Sequence, residues 1–323
     1  MQLNPSLFTL LQGVWLIEPT WAMQMLNIIN SVQGKEIEQS PEPIINLPSA
    51  SFKGNLHARA AGEELAPGES IYDRVPKGSI ALIPLRGGMT KYSQFCGPVG
   101  TTVIADRMLE ADRHKNIAGT VIIDESGGGQ LDAIYPMVHA HQRNTKVTNH
   151  LCDSLSASAN LIAASYGNKI FASNPDCRIG SLGVMAMFED REKFYEEKGI
   201  LFRSYYSDYS FNKNKNEMEA IKGDGTLLVN NVLNKYARRY ISEVAKNRSG
   251  LLRDSAETFL SMVDAGKKDK ISSDNIFTGQ MFMAEQCLPQ EKGGNGLIDG
   301  IASLDEVIDI TAHMAKNSVT IKL

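Results

Sequence analysis

Three features of the sequence predict an α/β fold built on parallel strands. Short continuous apolar runs, such as Ser79-Ile80-Ala81-Leu82-Ile83-Pro84-Leu85 and Gly119-Thr120-Val121-Ile122-Ile123-Asp124, alternate with stretches of helical periodicity. Strands covered by helices on both faces read this way, without the in-out alternation of a half-exposed sheet. The same two runs end in glycine-rich loops, Arg86-Gly87-Gly88 and Glu125-Ser126-Gly127-Gly128-Gly129. A third apolar run, residues 146–152, leads into the small-residue stretch Ala157-Ser158-Ala159, where a helix is expected to begin. Strand, helix, strand, helix at this pace argues layering of helices on a sheet.

The elements follow in order. Glu18-Pro19-Thr20 is a helix start, with Pro19 tolerated in the first turn, and Trp21, Ala22, Met25, Leu26, Ile28, Ile29 and Val32 form an apolar stripe at helical spacing. Residues 1–35 are therefore read as an N-terminal helical segment. Pro41, Pro43, Pro48 and Pro67 mark residues 36–77 as a linker or arm, and residues 78–323 as the main domain. Within that domain helices are expected at 101–112 and 131–142. Beyond Val184 the pattern predicts a helix at 189–198, a strand at 201–206, a polar loop through Asn212-Lys213-Asn214-Lys215-Asn216 and a long helix at 226–247. Helical segments around 282–287 and 304–315 close the chain, with a turn at Gly293-Gly294-Asn295-Gly296.

Composition excludes several classes. A chain of 323 residues has ample core, and 42% hydrophobic with 22% charged residues is ordinary for a soluble globular protein. A net charge of -4 gives no reason to expect nucleic acid or an acidic membrane as partner. Cys96, Cys152, Cys177 and Cys287 lack CxxC spacing and paired histidines, so they read as reduced, buried thiols of a cytoplasmic protein without a metal site. The apolar runs near the N-terminus are broken by Gln12, Gly13, Glu18 and Pro19, which fits neither a signal peptide nor a membrane span. No cofactor is expected.

The residues able to do chemistry gather around one serine. A hydroxyl on the first turn of a helix, flanked by Ala157 and Ala159, is open to an extended peptide, and the free amides of that turn face outward. The plainer alternative is a small-residue helix packed closely on the sheet. Glycines 127 to 129 let a substrate carbonyl approach bare backbone amides. With the Ala159 N–H they form a candidate oxyanion hole, in which each donor is typically worth about 3 to 4 kcal/mol. A serine needs a base, and none of His57, His114, His139, His141, His150 and His313 follows the serine in the segment where an α/β Ser-His-Asp hydrolase carries its histidine. His139, His141 and His150 read as surface or packing residues. A lysine made neutral by burial is the other option, and Lys213 or Lys215 is placed for it, although lysines in such a polar loop are ordinarily solvated.

Taken together these residues resemble peptidase family S49, the signal peptide peptidase A group, over residues 79–315. Ile80 to Leu85 followed by Gly87 looks like the family's first core strand and loop. Ile123 to Gly129 looks like its "S-P-G-G" turn, with Glu125-Ser126 in place of Ser-Pro. Ala157-Ser158-Ala159, Ala163-Ala164-Ser165, Asn168-Lys169-Ile170 and Gly180-Ser181-Leu182-Gly183-Val184 match the spacing of "A-S-G-G-Y-x-I-A-x-x-A-D-x-I … G-S-I-G-V". That alignment selects Ser158 over Ser154 and Ser156. Asn160 stands where the family usually has Gly or Ala. Val244 to Arg248 resembles "V-A-x-x-R", and Gly296-Leu297-Ile298-Asp299 resembles the closing "G-L-V-D".

The resemblance implies a Clp protease/crotonase-like fold of repeated ββα units and a serine endopeptidase with a Ser-Lys dyad. The family's "G-x-x-K" base falls on Asp208-Tyr209-Ser210-Phe211 without a lysine, so Lys213 is the first choice and Lys215 the second. Gly127, Gly128 and Ala159 take the oxyanion role. The opening Trp15-Leu16-Ile17-Glu18-Pro19-Thr20 is similar to phage head-maturation members, which implies a capsid or scaffold protein as substrate. The family also implies homo-oligomers. A cellular signal-peptide-peptidase-like protease and a catalytically inactive assembly protein of the same fold are the alternatives.

Overall fold

Segments rich in Ile, Val and Leu with few polar interruptions become the strands of a mostly parallel sheet, as expected where both faces are covered. The computed structural model describes residues 15–17, 70–94, 97–188, 190 and 192–320. In chain order, Trp15–Ile17 is strand β1. A capped 3-10 turn, Ile71–Arg74, then leads to β2, Ser79–Arg86, and helix α1, Thr101–Arg113. Next come β3, Ile117–Ser126, β4, Gly128–Gln130, and α2, Ile134–Arg143. β5 is Val147–Ala157, α3 Ala159–Ala164, β6 Ile170–Ala172 and β7 Arg178–Gly180. Helices α4, Glu192–Glu197, and α5, Lys215–Ile221, precede a helical stretch from Thr226 that passes through a π segment, Val229–Leu233, into α6, Asn234–Asn247. α7, Ala256–Asp264, β8, Met281–Met283, β9, Gly300–Ile301, and α8, Leu304–Thr320, complete it.

The main sheet runs β2-β3-β5-β6-β9 with every neighbouring pair parallel. Helices α1, α2 and α3 make the crossovers between successive strands and share one face, where Ile83, Leu85, Ile122, Cys152 and Ile170 join Met108, Met137 and Ile162 in the largest core. The opposite face is closed by α8, whose Val307 and Ile308 pack on Ile80, Val121, Ile123, Leu151 and Phe171. Each such side chain, fully buried, contributes about 1.5 to 3 kcal/mol. The α/β expectation is met.

The longest strand, β5, is bent at the point that matters. Asp124 of β3 faces Cys152, but Ser126 faces Ser156, so two steps along β3 are matched by four along β5. Asp153 and Ser154 are the extra residues and both are exposed. A bulge of this kind turns a strand end. Beyond it, Leu155–Ala157 leaves β6 and pairs with β7, which in turn pairs antiparallel with β8.

Several expectations need correction. Residues 201–206 form no strand: Ile200 through Tyr209 are all exposed, and a strand without a neighbour has no ladder to join. The segment expected to be helical around 282–287 is strand β8 followed by a 3-10 turn, Ala284–Cys287, because a short apolar run does not separate the two states by periodicity. The helix expected at 189–198 is Glu192–Glu197, and the one at 131–142 opens with a 3-10 turn, Leu131–Ala133. The N-terminal helix and the linker to residue 69 lie outside the described residues, as does Cys96. Cys152, Cys177 and Cys287 are buried and unpaired.

Candidate active site

Ser158 sits at the junction between β5 and α3. Its backbone has φ 54° and ψ −120°, a conformation that costs a residue with a side chain about 1 to 3 kcal/mol. The surroundings hold it there. Its N–H donates to the Gly180 carbonyl at 2.9 Å, and its own carbonyl accepts the Ile162 N–H at 3.0 Å. Ala157, Ala159, Ala163 and Ala164 are all buried, so small side chains let the junction press against the sheet. A sharp strand-to-helix turn with positive φ is an arrangement that can present a nucleophilic hydroxyl, but Ser158 is only 1% exposed, so the open approach expected from its small neighbours is not seen. Among the described residues no side chain hydrogen-bonds the Ser158 hydroxyl.

Gly180 and Ser181 are set by the same logic. Gly180 has φ 137°, and a β-carbon there would lie 2.3 Å from the Gln280 carbonyl oxygen. Ser181, also at positive φ, donates its N–H to that oxygen at 2.7 Å. The Gly180-Ser181 pair thus fixes the carbonyl that holds the Ser158 amide.

The glycine loop meets the serine from the other side. Ser126 Oγ donates to the Gly87 carbonyl at 2.6 Å and accepts the Gly128 N–H at 3.2 Å. Met89 N–H donates to the Gly128 carbonyl, and Gln130 N–H to the Met89 carbonyl, both at 2.8 Å. A β-carbon on Gly129 would stand 2.0 Å from the Met89 oxygen, so only glycine allows this approach. β4 packs against α3, and Ser126 pairs with Ser156, two residues before Ser158. The strand carrying Gly128 thus lies beside the helix that follows Ser158, and the strand before it pairs with the strand that leads to Ser158. Ala159 opens α3, where an N–H has no acceptor within the helix. The Gly128 N–H is engaged by the Ser126 hydroxyl rather than bare. Asn160 ties α3 to β5 through its Nδ2, 3.1 Å from Ser156 Oγ, while its Oδ1 is buried without a partner among the described residues.

Lys213 and Lys215 lie elsewhere in their surroundings. Lys213 occupies the turn before α5 and Lys215 is the first residue of that helix; both are exposed, and neither amine bonds to the Ser158 hydroxyl. Before them runs a bare aromatic and aliphatic segment containing Leu201, Phe202, Tyr205, Tyr209 and Phe211, with Tyr209 98% exposed.

A buried polar chain went unrecognised in the sequence. His150 Nδ1 lies 2.9 Å from Asp124 Oδ2, with both side chains fully buried, and His150 Nε2 lies 3.1 Å from His141 Nε2. Across the His141–His150 contact one Nε2 must donate and the other accept, so the two rings share a single proton there. Burial, and then the neighbouring His150, hold the His141 pKa well below the usual histidine value. The available signal was Asp124 ending one apolar run and His150 lying inside the next, on the same face of adjacent strands. His139 is exposed, as expected.

Among the described residues no group of His, Cys, Asp and Glu could hold a metal ion, and no helix is long and apolar enough to cross a membrane. Neither a protein-family model nor a curated protein sequence matches the chain. Among solved structures the chain is similar to a mutant form of the 1510-N membrane-bound stomatin-specific protease, at 16% identity and a TM-score of 0.44, over 72% of this chain and 83% of that one.

Proposed function

We propose that the chain is a serine endopeptidase of the S49 type, acting through Ser158. The observation that carries this reading is the strained backbone of Ser158, held at a strand-to-helix turn beside a glycine loop. Strain of that size persists where surrounding bonds over-determine it, and it is characteristic of reacting groups. In the proposed reaction Ser158 Oγ attacks the scissile carbonyl and passes its proton to a neutral lysine, which returns it to the leaving amine. Water then releases the acyl group by the reverse exchange. Gly127, Gly128 and Ala159 amides would receive the oxyanion charge, with the Gly128 N–H turning from Ser126 Oγ to do so.

Lys213 is the proposed base and Lys215 the second choice. An exposed lysine keeps its proton at neutral pH, and desolvation is what removes it. The bare apolar segment at 200–211 supplies the material for that desolvation once a second copy of the chain covers it. On this reading the active form is a homo-oligomer, and no cofactor takes part. The similarity of Trp15 to Thr20 to phage head-maturation members makes a capsid or scaffold protein the first substrate to try, in a host cytoplasm or prohead interior.

A second reading, an inactive assembly protein of the same fold, is favoured by the exposure of both lysines. The deciding experiment incubates wild type and Ser158→Ala with unfolded casein and with candidate capsid and scaffold proteins, and reads the products by mass spectrometry. Cleavage by wild type alone supports the peptidase. Cleavage that survives the alanine change removes Ser158 as nucleophile, and no cleavage by the oligomeric wild type favours the inactive protein.

A further inference from the structure

β4 is a three-residue strand outside the main sheet, and both of its edges are in use. One edge takes Met89, which accepts from Gln130 N–H and donates to the Gly128 carbonyl. Successive residues of a strand direct their N–H and C=O groups to opposite edges. Gly129 therefore turns its own N–H and C=O the other way, towards β1. The pairing there is antiparallel, with Trp15 opposite Gln130, Leu16 opposite Gly129 and Ile17 opposite Gly128.

The direction of β1 is informative. From Trp15 to Ile17 the chain advances from Gln130 to Gly128, that is, towards Gly127 and the Ser126–Ser156 pair two residues before the nucleophile. An extended peptide laid on this edge in the same sense would carry its C-terminal end towards Ser158. Free strand edges recruit extended peptides through main-chain bonds, and side chains add preference. We propose that β1 is a built-in occupant of the peptide-binding edge of β4, so that an incoming peptide must displace the chain's own residues 15–17 before it can bind. This inference rests on the peptidase reading for its consequence in catalysis, and on the β1–β4 pairing alone for its consequence in binding.

The test uses the full chain in a Ser158→Ala background, so that binding is read without cleavage. Leu16→Pro removes the N–H that faces Gly129 and fits poorly in a paired strand. A fluorescent peptide with the sequence of residues 12–20 is titrated into both proteins and followed by anisotropy. Relief of an occupying segment should tighten binding by about tenfold or more, because apparent affinity scales with the fraction of open sites. Equal affinity for the two proteins overturns the proposal. Hydrogen exchange supplies the second measurement, in Ser158→Ala and without reliance on the proline variant. Saturating peptide should exchange places with β1, leaving the Gly129 amide protected while residues 15–17 lose protection. Peptide binding that leaves the 15–17 amides unchanged also overturns the proposal. With Ser158 restored, Leu16→Pro should cleave a peptide substrate faster than wild type. Absence of cleavage by either protein counts against the peptidase reading, while the anisotropy result still decides the occupancy of β4.

Discussion

The amide of Ser158 is held by the carbonyl of Gly180 at 2.9 Å, and that bond joins two stretches more than twenty positions apart in the chain. Gly180 is in turn fixed by its closeness to the Gln280 oxygen. The nucleophile's backbone is thus set from β7, not only from the strand that carries it.

Gly180→Ala should expose this dependence. Its β-carbon would meet a backbone oxygen at 2.3 Å, and backbone cannot swing aside as a side chain can. The expected result is a loss of at least about 1 to 3 kcal/mol of stability, the scale of a forced backbone conformation. Peptide turnover should fall more than substrate binding, because the hydroxyl is misplaced while the β4 edge is not. Thermal denaturation and a kcat against KM comparison check both parts.

Replacing Ser158 separates strain from chemistry. Ser158→Ala and Ser158→Gly both remove the hydroxyl and should both abolish cleavage. Only glycine also relieves the positive φ of 54°. Ser158→Gly should therefore be more stable than Ser158→Ala by about 1 kcal/mol, after allowing for the larger entropy of an unfolded glycine. Denaturant titration of the two variants measures the difference.

The lysine assignment is tested by charge and by assembly together. Lys213→Ala should reduce turnover by about 100-fold or more, the scale of a general base. Lys213→Arg should not rescue it, since a guanidinium holds its proton at all relevant pH values. Tyr209→Asp, on the bare segment, should weaken self-association and lower activity in parallel, which analytical ultracentrifugation beside a peptide assay would show. If Lys215→Ala alone is inactive, the base is Lys215.

Much of this arrangement could be read from residue order, and the rest fails for identifiable reasons. The strands at 79–86 and 117–126 are centred on apolar runs buried on both sides, so length and composition identify them, whereas 147–157 carries several polar residues and is legible mainly through Val147, Leu151 and Cys152. The corner formed by Ser158 and the glycine loop is local to strand ends, and small residues mark it. The positive φ of Ser158 is not visible in sequence, because it is imposed by Gly180, and the bulge at Asp153-Ser154 is a matter of register between strands. The residues at 201–206 are rich in strand-favouring Leu, Phe and Tyr yet form no strand, since local composition reports readiness to pair and not the presence of a neighbour. The Asp124–His150 pair is not legible in sequence because the two residues stand in separate runs until the parallel pairing sets them side by side.

Two motifs distant in the chain turn out to meet. Arg248 Nη1 lies 2.7 Å from Asp299 Oδ2 and Arg248 Nη2 donates to the Gly296 carbonyl at 3.0 Å, while Asp299 Oδ2 also accepts the Ile170 N–H at 2.9 Å. The Arg248 side chain is 5% exposed. Arg248→Met would leave the carboxylate mostly buried with Lys169, 3.5 Å away, as its one remaining cation among the described residues. The expected loss is about 3 kcal/mol, at the lower end for breaking a buried ion pair. The double variant Arg248→Met with Asp299→Asn should recover part of it, and urea denaturation of the three variants gives the coupling.

Acid should destabilise the protein through His141. Its folded pKa is held well below the usual histidine value by burial and by His150, whereas the unfolded chain titrates near 6.5. Below that pH the unfolded state takes up a proton that the folded state refuses, so this contribution to stability is present above the unfolded pKa and is lost as pH falls. The loss reaches about 1.4 kcal/mol per pH unit until the folded group itself protonates. Other groups titrate in the same range, so the informative quantity is the difference between wild type and His141→Gln, which has no proton to gain and can still hydrogen-bond to His150 in either direction. Melting temperatures from pH 7.5 to pH 5 should fall more steeply for wild type than for the glutamine variant. Parallel curves would mean that His141 is free to protonate in the folded protein, and that the Asp124–His150–His141 chain does not hold it neutral.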